Sequence, residues 1–110
     1  MSDLSKDTER KIGQLQLYEQ SAQNLNAQKQ QFQSQLSEVE TAIKELETAK
    51  EAYKIVGNIM VSTDAETLKT ELMSKKEINE LRIKTLEKQE GQIKEKAQKL
   101  QEEVSAQLKE

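Results

Sequence analysis

The sequence predicts a mainly α chain: a long antiparallel two-helix coiled coil with one β-hairpin at the bend. Three observations carry this. Aliphatic residues recur at steps of three and four through both halves of the chain, as a helix seam requires. The stretch AYKIVGNIMVST, Ala52 to Thr63, interrupts them at mid-chain with β-branched and apolar residues around a Gly-Asn pair. The two seams also face each other when the chain is folded back at that pair.

Helix one is expected over about residues 5–50. Its seam places Leu15, Ala22, Leu36 and Ile43 at a positions and Tyr18, Leu25, Phe32, Val39 and Leu46 at d, with Lys29 interrupting at an a position. Helix two, over about 64–108, repeats the rule with Leu72, Ile83, Leu86, Ile93, Ala97, Leu100 and Val104; Asn79 and Glu90 are its polar seam positions. Folding back at Gly57-Asn58 pairs residues whose numbers sum to about 115. Leu15 then faces Leu100, Tyr18 faces Ala97, Ala22 faces Ile93, Phe32 faces Ile83 and Ile43 faces Leu72. Lys29 and Glu90 fall in adjacent layers and are placed to pair, a polar layer that fixes register at some cost in stability. Each helix would run roughly 65 to 70 Å at 1.5 Å per residue.

Between the helices, over about 52–63, Ala52 to Val56 and Ile59 to Thr63 read as two strands. Gly57-Asn58 is the two-residue loop, and Gly in its first position suits a type II′ turn. Pairing sets Val56 beside Ile59 and Ile55 beside Met60, so both sheet faces carry apolar residues. Thr63-Asp64-Ala65-Glu66 has capping-box spacing, which predicts Thr63 as the start of helix two. A lone hairpin is barely stable in water and leaves two open edges. Other subunits are the expected cover. Hairpins joined edge to edge would close a barrel and bury Ile55, Val56, Ile59, Met60 and Val61.

Composition excludes several functions. At 110 residues, 1–110 is expected to be a single domain; 34% apolar against 34% charged residues, with no proline, is too polar for a compact core. Seventeen basic and 20 acidic residues give a net charge of −3, with no basic cluster to neutralise phosphates, so nucleic acid is not an expected partner. No signal-like or membrane-spanning run is present, and a cytoplasmic location is expected. The chain has neither cysteine nor histidine, and its three glycines are scattered, so no disulfide, thiolate chemistry or phosphate-cradling loop is expected. Carboxylate pairs such as Glu38/Glu40 and Glu102/Glu103 read as solvated charges on a helix face. No catalytic residue, metal or cofactor is expected.

Several residues lie off the seam. Ile78 and Leu81 fall on another face of helix two, near the insert, and read as packing against it or against a neighbouring subunit. Ile12 and Leu17 lie off the seam near the far end of helix one, and Leu108 breaks the spacing at the end of helix two. From Gly13 to Ser37 only Glu19 and Lys29 are charged, leaving a neutral, Gln-rich face.

Helix, hairpin, helix in this length, with Tyr53-Lys54-Ile55-Val56-Gly57-Asn58-Ile59-Met60-Val61 at the bend, resembles the β-class prefoldin family, its archaeal type most closely. The likeness covers nearly the whole chain, and the YKxVGxxxV segment is its specific part. An α-class chain would carry two hairpins. The resemblance implies a hexamer of two α and four β subunits, whose hairpins form a double β-barrel body and whose coiled coils project as arms. It implies an ATP-independent holdase that binds unfolded proteins at the arm tips and delivers them to a group II chaperonin. Tyr53, Ile55, Val56, Gly57, Asn58, Ile59, Met60 and Val61 would then assemble the subunits. The family's tip residues form no strict motif; on physical grounds the client-binding tips are expected to include Leu4, Ile12, Leu15, Leu17, Leu100, Val104 and Leu108, at the end where the coil frays. The competing reading is a structural coiled-coil adaptor that oligomerises through its hairpin.

Overall fold

The computed structural model describes residues 5–109. Its elements are α1 (Lys6–Leu46), β1 (Ala52–Val56), β2 (Ile59–Thr63) and α2 (Ala65–Lys109), in that order. The chain divides into two compact units, a terminal unit within Met1–Lys29 and Thr85–Glu110 and a hairpin unit of Gln30–Lys84.

Ser5 caps α1: its Oγ accepts the backbone N–H of Thr8 at 3.1 Å, and its carbonyl accepts that of Glu9 at 3.0 Å. This satisfies donors that the first turn leaves unpaired. Asp7 and Glu9 sit in that first turn and Lys44 in the last, both matched to the helix dipole. The expected end near residue 50 is corrected to Leu46. Glu47 N donates to Lys44 O at 3.3 Å, a three-residue closure of the kind that tightens a final turn. The chain then leaves the helix so that Ala52, 5% exposed, can settle in a groove with Leu46, Ala49, Leu68 and Leu72.

The cap of α2 is also corrected, from Thr63 to Asp64. Asp64 Oδ2 accepts both the N–H and the hydroxyl of Thr67 at 3.2 Å, and its carbonyl accepts Leu68 N at 3.0 Å. Thr63 is committed to the sheet, where it pairs with Ala52. A carboxylate at the positive end of the helix dipole is the better cap.

The seams are where the sequence places them. In α1 the less exposed positions step through Leu15, Tyr18, Ala22, Leu25, Lys29, Phe32, Leu36, Val39 and Leu46. In α2 they step through Leu72, Asn79, Ile83, Leu86, Glu90, Ile93, Ala97, Leu100 and Val104. Most stay half-buried, because one partner helix covers a seam residue on one side only. Leu86 and Val104 are the helix apolar residues that become buried, at 7% and 3% exposed.

Antiparallel pairing shows within each unit. In the terminal unit Lys29 Nζ lies 2.9 Å from Glu90 Oε1, the polar pair the register predicts. Both side chains are about three-quarters buried, and Glu90 Oε1 receives the ammonium's charge without an aligned hydrogen bond. Such a pair fixes register more than it stabilises. Tyr18 and Ala97, with Ala22 and Ile93, share one open groove of about 730 Å³. In the hairpin unit the Arg82 guanidinium lies 5.3 Å from the Phe32 ring centroid, close enough for a cation–π contact.

Candidate subunit and client contact surfaces

The hairpin pairs Ala52 with Thr63, Tyr53 with Ser62, Lys54 with Val61, Ile55 with Met60 and Val56 with Ile59. Gly57 has φ of 61° while Asn58 does not enter the positive region, the pattern of a type II′ turn rather than I′. An L side chain at Gly57 would be strained there.

Alternation sorts the strands into two faces. Ala52, Lys54 and Val56 with Thr63, Val61 and Ile59 share one face; its root is held down by buried Ala52 and by Lys54 Nζ, 3.6 Å from Glu71 Oε1 on α2. The other face, Tyr53 and Ile55 with Ser62 and Met60, is exposed along its length. Ile55 is 73% exposed and Met60 67%, and at the turn Val56 and Ile59 are 56% and 66% exposed. Each strand pairs only with the other in a two-stranded sheet, so each keeps one row of backbone donors and acceptors open. Contiguous exposed apolar surface of this kind marks a contact surface.

The terminal unit is built differently. Thr8, 4% exposed, donates its hydroxyl to Gln107 Oε1 at 2.8 Å and receives that of Ser5 at 2.9 Å. Gln107 Nε2 donates to Asp7 Oδ2 at 3.1 Å. Lys11 Nζ lies 3.3 Å from Asp7 and 3.4 Å from Glu103, and Arg10 Nη2 is 2.7 Å from Asp7 Oδ1. Hydrogen bonds from Arg10, Gln107 and Lys11 hold the Asp7 carboxyl well below the usual carboxylate range. These contacts clasp the start of α1 to the end of α2.

The expected frayed tip is therefore corrected. Val104 is buried, and Ile12, Leu15 and Leu100 are half-buried; the clasp holds the helices together and the seam continues through them. Leu17 and Leu108 remain exposed, each at 56%. Leu4 lies outside the described residues. The clasp was missed because Thr8, Asp7 and Gln107 are polar and fall outside an apolar periodicity, although the register already set residue 8 opposite residue 107. Among the described residues no group of acidic side chains is placed to hold a metal ion, and no helix is long and apolar enough to cross a membrane.

A family model described as prefoldin subunit matches residues 9–110. The chain is 38% identical to the prefoldin subunit beta of Methanothrix thermoacetophila, covering 96% of this chain and 91% of that relative. It is 35% identical to the prefoldin subunit beta of Pyrococcus horikoshii, covering 99% and 96%. The crystal structure of the prefoldin beta subunit from Thermococcus strain KS-1 superposes with a TM-score of 0.88 at 32% identity, covering 96% of both chains.

Proposed function

The chain belongs to the prefoldin subunit family, a family of non-enzymatic chaperone subunits, and from that premise we propose that it is the β-class subunit of an ATP-independent holdase. In this reading four copies join two α subunits through their hairpins, hold unfolded proteins, and release them to a group II chaperonin in the cytoplasm. The observation that carries it is the hairpin's exposed apolar face beside open strand edges, a surface this chain does not cover and a neighbouring hairpin would.

Client contact is assigned to the terminal unit. Leu17 and Leu108 are its exposed large apolar side chains among the described residues, and weak, non-directional apolar contact suits clients of diverse sequence. Ile12, Leu15 and Leu100 add to this surface when the last turns open. Val104 joins only if the clasp is released. Several such arms give avidity without a tight individual site.

The test uses the full chain assembled with an archaeal prefoldin α subunit. Leu17→Ser with Leu108→Ser should keep the oligomer mass yet lose most of the suppression of aggregation of a denatured test protein without ATP. Wild-type protection by this variant would remove these side chains from the mechanism and turn attention to the neutral face over 13–37.

A further inference from the structure

The hairpin does not account for all the exposed apolar surface of its unit. On α2, Leu81 is 65% exposed, Ile78 49% and Met73 45%. At about 3.6 residues per turn, Leu81 lies on the side of α2 opposite the seam residues Leu72, Asn79 and Ile83. Thr67, Thr70, Ser74 and Ile78 fall along the same outer line, itself uncharged and closely flanked by Glu71 and Glu77. Further along that line come Lys88, Gln92, Lys96 and Lys99. The change from uncharged to basic falls within two turns.

Two of the three hydroxyls on this line, those of Thr67 and Thr70, are already engaged. Thr70 Oγ1 donates to Glu66 O at 3.0 Å and Thr67 Oγ1 to Asp64 Oδ2 at 3.2 Å. Their methyl groups can be covered without stripping an unpaired hydroxyl of water, which removes much of the usual cost of burying a polar side chain. Aliphatic anchors among small hydroxyl side chains, with charge confined to the margins, are the make-up of an interface centre and its rim.

We propose that this outer face of α2, from Thr67 to Leu81, docks against the adjacent subunit of the assembly, extending the hairpin contact onto the helix. The proposal rests on the reading of the hairpin as the joining element. The occupant follows from continuity. α2 begins directly after β2, and the Lys54–Glu71 pair ties β1 to its second turn. A subunit joined at the hairpin therefore stands beside these turns. Contact stops where the basic line begins, at Lys88, and beyond it the helices of neighbouring subunits part.

The chain contains no cysteine, so an introduced thiol is a unique reporter. Leu81→Cys, Ser74→Cys and Gln92→Cys chains are each assembled with an archaeal prefoldin α subunit, and alkylation by iodoacetamide is timed. The unassembled reference is each Cys variant carrying Ile59→Asp and Val61→Asp. Assembly should slow alkylation at Leu81→Cys and Ser74→Cys roughly tenfold and leave Gln92→Cys within about twofold, since thiol reactivity follows access. Equal rates at Leu81→Cys and Ser74→Cys in an oligomer of wild-type mass would overturn the proposal. So would protection that arises only when a denatured client is added. The hairpin reading fails separately: native mass spectrometry would then find the Asp-substituted reference assembled.

Discussion

The hairpin unit and the terminal unit are made from the same seam, yet they leave opposite kinds of surface. Of the 11 large apolar side chains left exposed among the described residues, nine lie in the hairpin unit, from Tyr53 to Leu81, and two, Leu17 and Leu108, lie in the terminal unit. The terminal unit instead invests in polar closure: Ser5, Asp7, Thr8 and Lys11 meet Glu103 and Gln107 across the two helices. One unit closes largely on itself, and the other keeps most of its large apolar side chains open. Under the proposed function this asymmetry has a use, because apolar area would drive both assembly and client contact and is concentrated at the hairpin.

The sharpest way to break the comparison is to put charge on the hairpin. Ile59→Asp with Val61→Asp should abolish assembly, read as subunit mass, while the helix signal in circular dichroism stays near wild type. A double variant that still assembled would mean that the exposed hairpin is not what joins the subunits.

A smaller effect is expected from opening the clasp. Gln107→Ala takes away the acceptor of the buried Thr8 hydroxyl and a donor to Asp7, worth about 1 to 3 kcal/mol where a buried group loses its partner. Amide exchange should quicken at the ends of α1 and α2, while the hairpin keeps its protection. Acid should act on the same contacts. The folded Asp7 carboxyl titrates below its ordinary value of 3.8, so its contribution is present above that pH and is lost as pH falls below it. Exchange that quickened equally at the hairpin would mean that the clasp is not local.

The smallest change is Gly91→Ala. Gly91 lies within α2, and a Cβ there would meet nothing within 4 Å. The substitution should stabilise by about 0.5 to 1 kcal/mol, raising the thermal midpoint without altering oligomer mass. A lower midpoint would show that the groove beside Ala22 and Ala97 is filled in the working protein.

Much of this was legible in the sequence, and what was missed has one cause. Period and register depend on where apolar residues recur, so the seams, the Lys29–Glu90 pair and the hairpin pairing could all be read directly. Polar side chains outside an apolar seam have no such period to place them. Asp64 displaced Thr63 as cap, and Thr8 with Gln107 closed an end expected to fray; both outcomes turn on hydrogen-bond geometry that spacing alone does not encode. Helix one ended at Leu46 for a related reason: burial of Ala52 beside Leu68 and Leu72 outweighed the helical propensity of Ala49 and Lys50.

The clasp also bears on the order in which the chain closes. Val56 meets Ile59 across a two-residue turn, whereas Thr8 and Gln107 are separated by 99 positions. Bringing such distant residues together in an open chain costs loop-closure entropy, but once the hairpin has formed, each successive seam layer adds only a short further closure. Zipping outward from Gly57-Asn58 is therefore the low-entropy route. On that route the clasp forms last on folding and opens first on local unfolding, so the end of the chain assigned to clients is also the end able to loosen while the rest stays folded.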